Sequence, residues 1–200
     1  MKIGTLGAGI VAQAVARHAI GHGHEVVLSN RRGPASLAGL VEGLGPLASA
    51  GTAEEAAAAE LVLLAVNWTQ VPDAVAGLPA FDGRIVIDAT NQFTSLPPHA
   101  EIADLGELTG SEYIASLLPG ARVVKAFNTL YGQYIAADPR HDAGRQILFL
   151  AGEDAAAKDI VGELTAGFGF APVDVGGLRD GGRLMQLGGP LSGLHALRQD

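Results

Sequence analysis

Two short segments hold the residue types best suited to binding an anionic ligand. Gly7-Ala8-Gly9-Ile10-Val11-Ala12 reads G-x-G-x-x-A. Ser29-Asn30-Arg31-Arg32 follows about twenty residues later, the separation expected between a phosphate loop and a ribose-binding turn. In the first segment Gly7 permits a tight turn and Gly9 lets backbone approach a pyrophosphate. Ala12 lets a helix pack close to a strand. Ala8, Ile10 and Val11 complete the loop, and a helix opening there turns unpaired N–H groups and the positive end of its dipole toward an anion. In a chain with 28 glycines such a motif needs context. Here it follows a strand-like run and opens a helical one, the setting a dinucleotide site requires.

The second segment bears on which dinucleotide. An NAD site ends its second strand with Asp or Glu, which bonds the ribose hydroxyls. Ser29-Asn30-Arg31-Arg32 offers no carboxylate. Two guanidiniums stand there instead, with Ser29 and Asn30 as further donors, and an Arg fork matches the oxygens of a 2′-phosphate. The segment therefore predicts NADP(H); a solvated surface Arg pair is the alternative.

The elements that must position these residues alternate along the chain. Lys2–Leu6, Glu25–Ser29, Leu61–Val66, Arg84–Thr90, Arg122–Phe127 and Gln146–Ala151 read as strands, and Pro172–Val175 as a weak last one. Helices are expected over Ile10–Ile20, Ala35–Leu44, a short stretch opened by the capping box at Thr52–Glu55, about 111–118, and about 155–167. Strands apolar on both faces suit a parallel sheet covered on both sides. The alternation predicts an α/β, doubly wound, mostly parallel sheet of the Rossmann type. Residues 1–127 are expected to form the nucleotide-binding domain. Residues 128–200 are expected to form a small C-terminal portion packed on it, helping to shape an acceptor cleft.

Composition narrows the function. A net charge of −8 opposes binding to nucleic acid. The absence of cysteine excludes disulfides, thiolate catalysis and thiolate-bound metal. His22 and His24 flank a glycine, but nothing near them in sequence completes a metal ligand set, so no metal is expected. Apolar runs are too short to span a bilayer, and no signal peptide is read before the first strand, so a soluble, cytoplasmic protein with no membrane partner is expected. A homodimer is the default oligomer.

GAGIVA, SNRRGP, AVNWTQV, DATNQF and LLPGARVVKAFNTLY together resemble the NADPH-dependent coenzyme F420 reductase family over about the first 135 residues. The tail segment GRLMQLGGPL is similar to some bacterial members. The resemblance implies a Rossmann domain that binds NADP, with a deazaflavin in the cleft against the nicotinamide. It implies that Val66, Asn67 and Trp68 line the path from adenosine to nicotinamide, and that Thr90, Asn91 and Ala126 lie near the nicotinamide. The family often carries Pro where this chain has Asn67. The same unit occurs in the cytosolic part of membrane metalloreductases.

Other roles stay open between packing and contact. Trp68 can pack under the next helix or touch the cofactor. Asn128 and Thr129 can bond a carboxamide or a flavin-like edge, or cap a helix, the expectation for Thr129. Lys125, on a central strand, is expected to pair with a carboxylate such as Asp88. No Ser-His-Asp, paired-carboxylate or Tyr-x-x-x-Lys pattern is present, so no catalytic residue is assigned; Tyr113, His99 and His141 are unaligned proton-donor candidates. Hydride transfer between nicotinamide and a deazaflavin or flavin needs no protein acid, whereas carbonyl reduction does. The leading expectation is an NADPH oxidoreductase with an F420-like or flavin acceptor. The alternatives are a non-catalytic NADP(H)-sensing module that regulates a partner, and a small carbonyl or imine reductase.

Overall fold

A computed structural model describes residues 1–95 and 101–199. The chain opens with β1 (Lys2–Leu6), α1 (Ile10–Gly21), β2 (Glu25–Ser29), α2 (Ala38–Leu44), β3 (Ala48–Ala50), α3 (Ala53–Ala57) and β4 (Leu61–Leu64). It continues through α4 (Val71–Val75), β5 (Ile85–Asp88), β6 (Phe93–Ser95), β7 (Glu101–Ile102), α5 (Gly110–Leu117) and β8 (Arg122–Lys125). It ends with α6 (Gly132–Ala136), β9 (Arg140–His141), β10 (Gly144–Gly152), α7 (Ala155–Phe168), β11 (Ala171–Asp174), α8 (Asp180–Met185) and β12 (Leu197–Arg198).

The main sheet runs β3-β2-β1-β4-β5-β8-β10-β11. From β3 to β8 every pairing is parallel; β10 then lies antiparallel to β8, with β11 parallel to β10. This is the doubly wound order, and its direction reverses between β1 and β4, where such sheets open a crevice beyond the strand ends. β6 and β7 form a separate two-stranded ribbon, and β9 and β12 pair with β10.

The strands are apolar because both faces are covered. In β4, Leu61 and Leu63 pack with α1 and α7 on one face, while Val62 and Leu64 pack with α3, α5 and Trp68 on the other. All four are buried, each contributing about 1.5–3 kcal/mol. Gly4 sits where α3 presses onto β1: a Cβ there would lie 1.8 Å from the Ala56 carbonyl oxygen.

The expected capping box of α3 forms, with Glu55 N–H donating to Thr52 and Thr52 N–H donating to Glu55. A second box, Thr109 with Glu112, opens α5 one residue earlier than expected. The helix expected over Ala35–Leu44 is split. It begins as a 3₁₀ turn, Pro34–Leu37, behind Gly33, which offers no side-chain cap. β3 falls outside the expected strands, because Ala48-Ser49-Ala50 has no apolar run; β2 holds it at the edge. α8 lies in a glycine-rich stretch that gives no helical signal. Gly181 and Gly182 let it sit against Ala151 and Thr109. Among the described residues no helix is long and apolar enough to cross a membrane.

Candidate functional site

Beyond the carboxyl ends of the parallel strands, two arms of one groove meet at the glycine loop. One arm, about 680 Å³, runs past Gly7, Ala8, Gly9, Ser29, Asn30, Arg31 and Arg32. The other, about 630 Å³, runs past Gly9, Ile10, Val11, Trp68, Thr90 and Asn91. Val66 and Asn67 line both.

Gly7 and Gly9 are glycines for different reasons. Gly7 has φ +108°, and a Cβ on it would lie 2.3 Å from the Ala65 carbonyl oxygen, so the fold itself demands glycine. Gly9 has φ −78° and ψ −170°, ordinary extended backbone, and a Cβ on it would meet nothing within 4 Å. Its missing side chain leaves open space in the groove at the start of α1. That helix begins with no side-chain cap. An uncapped helix end facing a cradle that a Cβ would fill suits a pyrophosphate.

At the end of β2 the four expected donors divide their work. The Ser29 hydroxyl is buried and donates to the Thr5 carbonyl (2.7 Å), so it has no proton left for a ligand, contrary to expectation. Asn30 holds the turn: its Oδ1 accepts from Arg32 N–H (2.8 Å) and its Nδ2 donates to Ser36 Oγ (3.0 Å). Arg31 and Arg32 are exposed and form no ion pair among the described residues. Two such guanidiniums beside a groove, on a chain of net charge −8, form a local positive site. Glu54 and Asp73 line the same arm. The Glu54 carboxyl is held below its usual range by a hydrogen bond from its own backbone N–H and another from Thr52.

The second arm is floored by the ends of β5 and β8. Asp88 and Lys125 lie opposite each other in the ladder and form the expected ion pair, 3.0 Å apart and both almost wholly buried. Asp88 Oδ1 accepts from Thr90 N–H (2.9 Å) and Thr90 Oγ1 (2.7 Å); Oδ2 accepts from Ser111 Oγ (2.7 Å) and Lys125 Nζ. Lys125 Nζ also donates to the Thr90 carbonyl (2.6 Å). Burying both ions costs several kcal/mol each, which only such complete hydrogen bonding offsets.

Next along, Asn91 Nδ2 donates to the Asn128 carbonyl (2.8 Å), and Asn128 Nδ2 reaches Asn91 Oδ1 (3.2 Å) and the Met185 carbonyl (2.8 Å) at the end of α8. Phe127, buried, holds φ +65°, a conformation that costs about 1–3 kcal/mol for a bulky residue. Asn128 therefore ties the α8 end to the sheet and lines neither arm. Ala126 has no exposed surface and lies in the core, also off the groove. Thr129 caps nothing: α6 has Tyr131 at its N-cap, and Thr129 Oγ1 is buried without a hydrogen-bond partner.

Trp68 lines the second arm, and its other side packs on Tyr113 of α5, with ring centroids 5.3 Å apart. Tyr113 is thus drawn into the core beside Trp68, and His141 lies near His195. His99 lies outside the described residues. Among the described residues, no lining residue of the second arm is titratable. At its mouth Ile10 is 72% exposed, and Gly132 stands so near that a Cβ on it would lie 2.4 Å from Ile10 Cγ2; the neighbouring Tyr131 is 66% exposed. Ile10 thus makes an apolar ledge at the mouth. Sequence reasoning missed Gln13, Ser36, Leu40, Gln70 and Phe93 as lining residues. They come from separate elements with no common spacing to reveal them.

Among the described residues no group of His, Cys, Asp or Glu could hold a metal ion. His22 Nδ1 contacts the His18 carbonyl, and His24 Nδ1 lies 3.3 Å from the N-terminal nitrogen.

Comparison with known proteins places this geometry. Residues 2–92 match the family described as NADP oxidoreductase, coenzyme F420-dependent. A solved hypothetical protein of Sinorhizobium meliloti, SMa0349, is 37% identical, covering 99% of this chain and 95% of that one with a TM-score of 0.90. A candidate F420-dependent NADP reductase of Arthrobacter sp. FB24 is 26% identical, covering 89% and 86% of the two chains with a TM-score of 0.73. Metalloreductase STEAP3 of Rattus norvegicus is 34% identical over 178 residues, 88% of this chain and 34% of that protein. The chain spans about a third or less of the curated relatives it matches. A reductive aminase of Aspergillus terreus in complex with NADPH and ethyl levulinate shares the fold, at 22% identity and a TM-score of 0.63 over 56% of its chain.

Proposed function

We propose that this protein passes hydride between NADPH and a planar acceptor of the F420 or flavin kind, on the premise that the chain belongs to the family of NADP oxidoreductases described as coenzyme F420-dependent. The observation that carries the acceptor class is the second arm of the groove. It has ring-sized space, an apolar ledge at its mouth, and no titratable lining side chain among the described residues. A carbonyl or imine acceptor needs a proton donor within hydrogen-bond reach of its heteroatom. A deazaflavin or flavin takes hydride directly and draws its further proton from water.

The chain's own residues then have simple tasks. Arg31 and Arg32 hold the 2′-phosphate, and the Asn30 turn presents them. The start of α1, opened by Gly9, holds the pyrophosphate. Val66, Asn67 and Trp68 wall the middle of the groove, and Thr90 and Asn91 floor the nicotinamide end. When bound, NADPH supplies the hydride, leaving as NADP⁺. Ile10 supports the flat face of the acceptor and excludes water from between the rings. Alignment of donor and acceptor carbons is the protein's main contribution to rate.

The test is an acceptor panel with purified protein and NADPH: F420, FMN, FAD, a ferric chelate and a cyclic imine, followed by loss of nicotinamide absorbance. Turnover is expected with one or more of the planar ring systems and none with the imine. Reduction of the imine alone overturns the acceptor class. Tight NADPH binding with no turnover across the panel overturns catalysis in favour of nucleotide sensing.

A further inference from the structure

We infer that Lys125 is a positioning residue for hydride transfer: through Asp88 and Thr90 it fixes the floor against which the nicotinamide ring rests. This rests on the NADPH reading above and deepens it.

Strand pairing does not need the ion pair. β5 and β8 are already joined by a regular parallel ladder, extended by Ala126 N–H donating to the Asp88 carbonyl (3.1 Å). Two facing apolar residues would bury as well there, without the cost of stripping water from two charges. What the pair adds lies beyond the ladder. Every polar group of Thr90 is spent on it: the N–H and the hydroxyl go to Asp88, and the carbonyl accepts from Lys125 Nζ. Ser111, from α5, occupies the other carboxylate oxygen. Thr90 therefore has no freedom to rotate, and Asn91 leaves it in a fixed direction. Asn91 is in turn locked to Asn128, which follows the left-handed Phe127. Ala89, Thr90 and Asn91 all line the second arm.

The groups assigned to the phosphates lie at the other end of the groove, on β1, α1 and β2. Loosening the floor should leave NADPH affinity intact while letting the ring wander. Displacements of about 1 Å can cost 100-fold in rate when reacting atoms must be aligned. The expected signature is thus a split between binding and transfer, which loss of fold alone does not produce.

The decisive variant is the double change D88N/K125M. It removes both charges together, and the amide oxygen it leaves at position 88 can still accept from Thr90. A second variant, Thr90→Val, removes only the hydroxyl bond to Asp88, which faces the core rather than the groove. For each, the readouts are melting temperature, NADPH affinity, the excited-state lifetime of bound NADPH, and the single-turnover rate with an acceptor that the wild type uses. The double variant is expected to bind NADPH within about threefold of the wild type. Its nicotinamide lifetime should shorten toward that of free NADPH, and its transfer rate should fall about tenfold or more. Thr90→Val should shift the same readouts in the same direction by less, and it decides the matter if the double variant does not fold. Unchanged lifetime and rate overturn the inference, as does a loss of affinity in step with the loss of rate. A wild type that binds NADPH but reduces no acceptor sinks the functional reading alone, because the lifetime still decides the role of Lys125. A wild type that does not bind NADPH overturns both.

Discussion

The two arms of the groove are built on opposite principles. The first arm draws its candidate anion-binding groups from local structure: a turn, a helix start and a second turn within residues 7–13 and 29–36, with residues between 40 and 78 walling the rest. Its ligand-facing groups are backbone and two guanidiniums outside any ion pair among the described residues. The second arm, lined by residues 9–11, 65–69, 89–91 and 93–95, is braced from across the chain. Asn91 meets Asn128, Asn128 meets Met185, and Gln92 meets Gln186, a separation of 94 residues. The side chains of Thr90 and Asn91 on its floor are committed to Asp88 and Asn128. The first arm waits for charge, while the second supplies a rigid apolar surface. Binding and chemistry can therefore be broken separately.

The largest effect should come from a glycine that serves neither arm. Gly4→Ala drives a methyl into the Ala56 carbonyl and should cost about 3 kcal/mol or more in stability, read by denaturant unfolding, with NADPH affinity of the folded fraction unchanged. Gly9→Ala is its mirror image. The methyl meets no protein atom, so unfolding should be unaltered, while NADPH affinity falls about 100-fold, or roughly 2.7 kcal/mol, by calorimetry. If Gly9→Ala instead destabilised the fold and left binding alone, the cradle would be structural.

Arg31→Ala and Arg32→Ala sharpen the contrast further. Each should weaken NADPH by about tenfold and leave NADH nearly unaffected, since a charge-assisted contact to the 2′-phosphate is all that is removed.

The smallest effect lies at the far edge of the sheet. Burial pushes the Asp174 carboxyl up, but hydrogen bonds from Lys158 and the Gly176 N–H outweigh it and hold the group below its usual value. The folded form therefore releases its proton more readily than the unfolded chain. The pair's stabilisation is complete above the ordinary carboxyl range and fades as pH falls through the lower folded value. The carboxyl is about half exposed, so solvent screening limits the contribution to about 0.5 kcal/mol. Asp174→Asn should flatten that part of an acid unfolding profile and leave both arms intact.

The same contrast governs what can be read from sequence. The glycine loop, the Arg turn and the apolar strands obey spacing rules within about thirty residues, and the fold order follows from their alternation. Lys125 opposite Asp88 is legible too, because a lysine in a buried strand must find a carboxylate. The commitment of Ser29 to Thr5 is not, because a serine at a strand end looks like a free donor until its neighbour is known. Asn128 escapes for a related reason. Its partner is a carbonyl at the end of α8, a helix disguised by glycines whose function is close packing rather than turning. Thr129 fits the capping pattern, yet the helix starts three residues later.

One titration tests the central claim most directly. Trp68, the only tryptophan, lines the second arm, so its emission reports on the groove. NADPH should quench it at concentrations at least about tenfold below those NADH requires, a gap of about 1.4 kcal/mol, and the gap should vanish in the doubly substituted R31A/R32A protein. Failure of both nucleotides to bind, or binding of NADH as tightly as NADPH, would contradict the account.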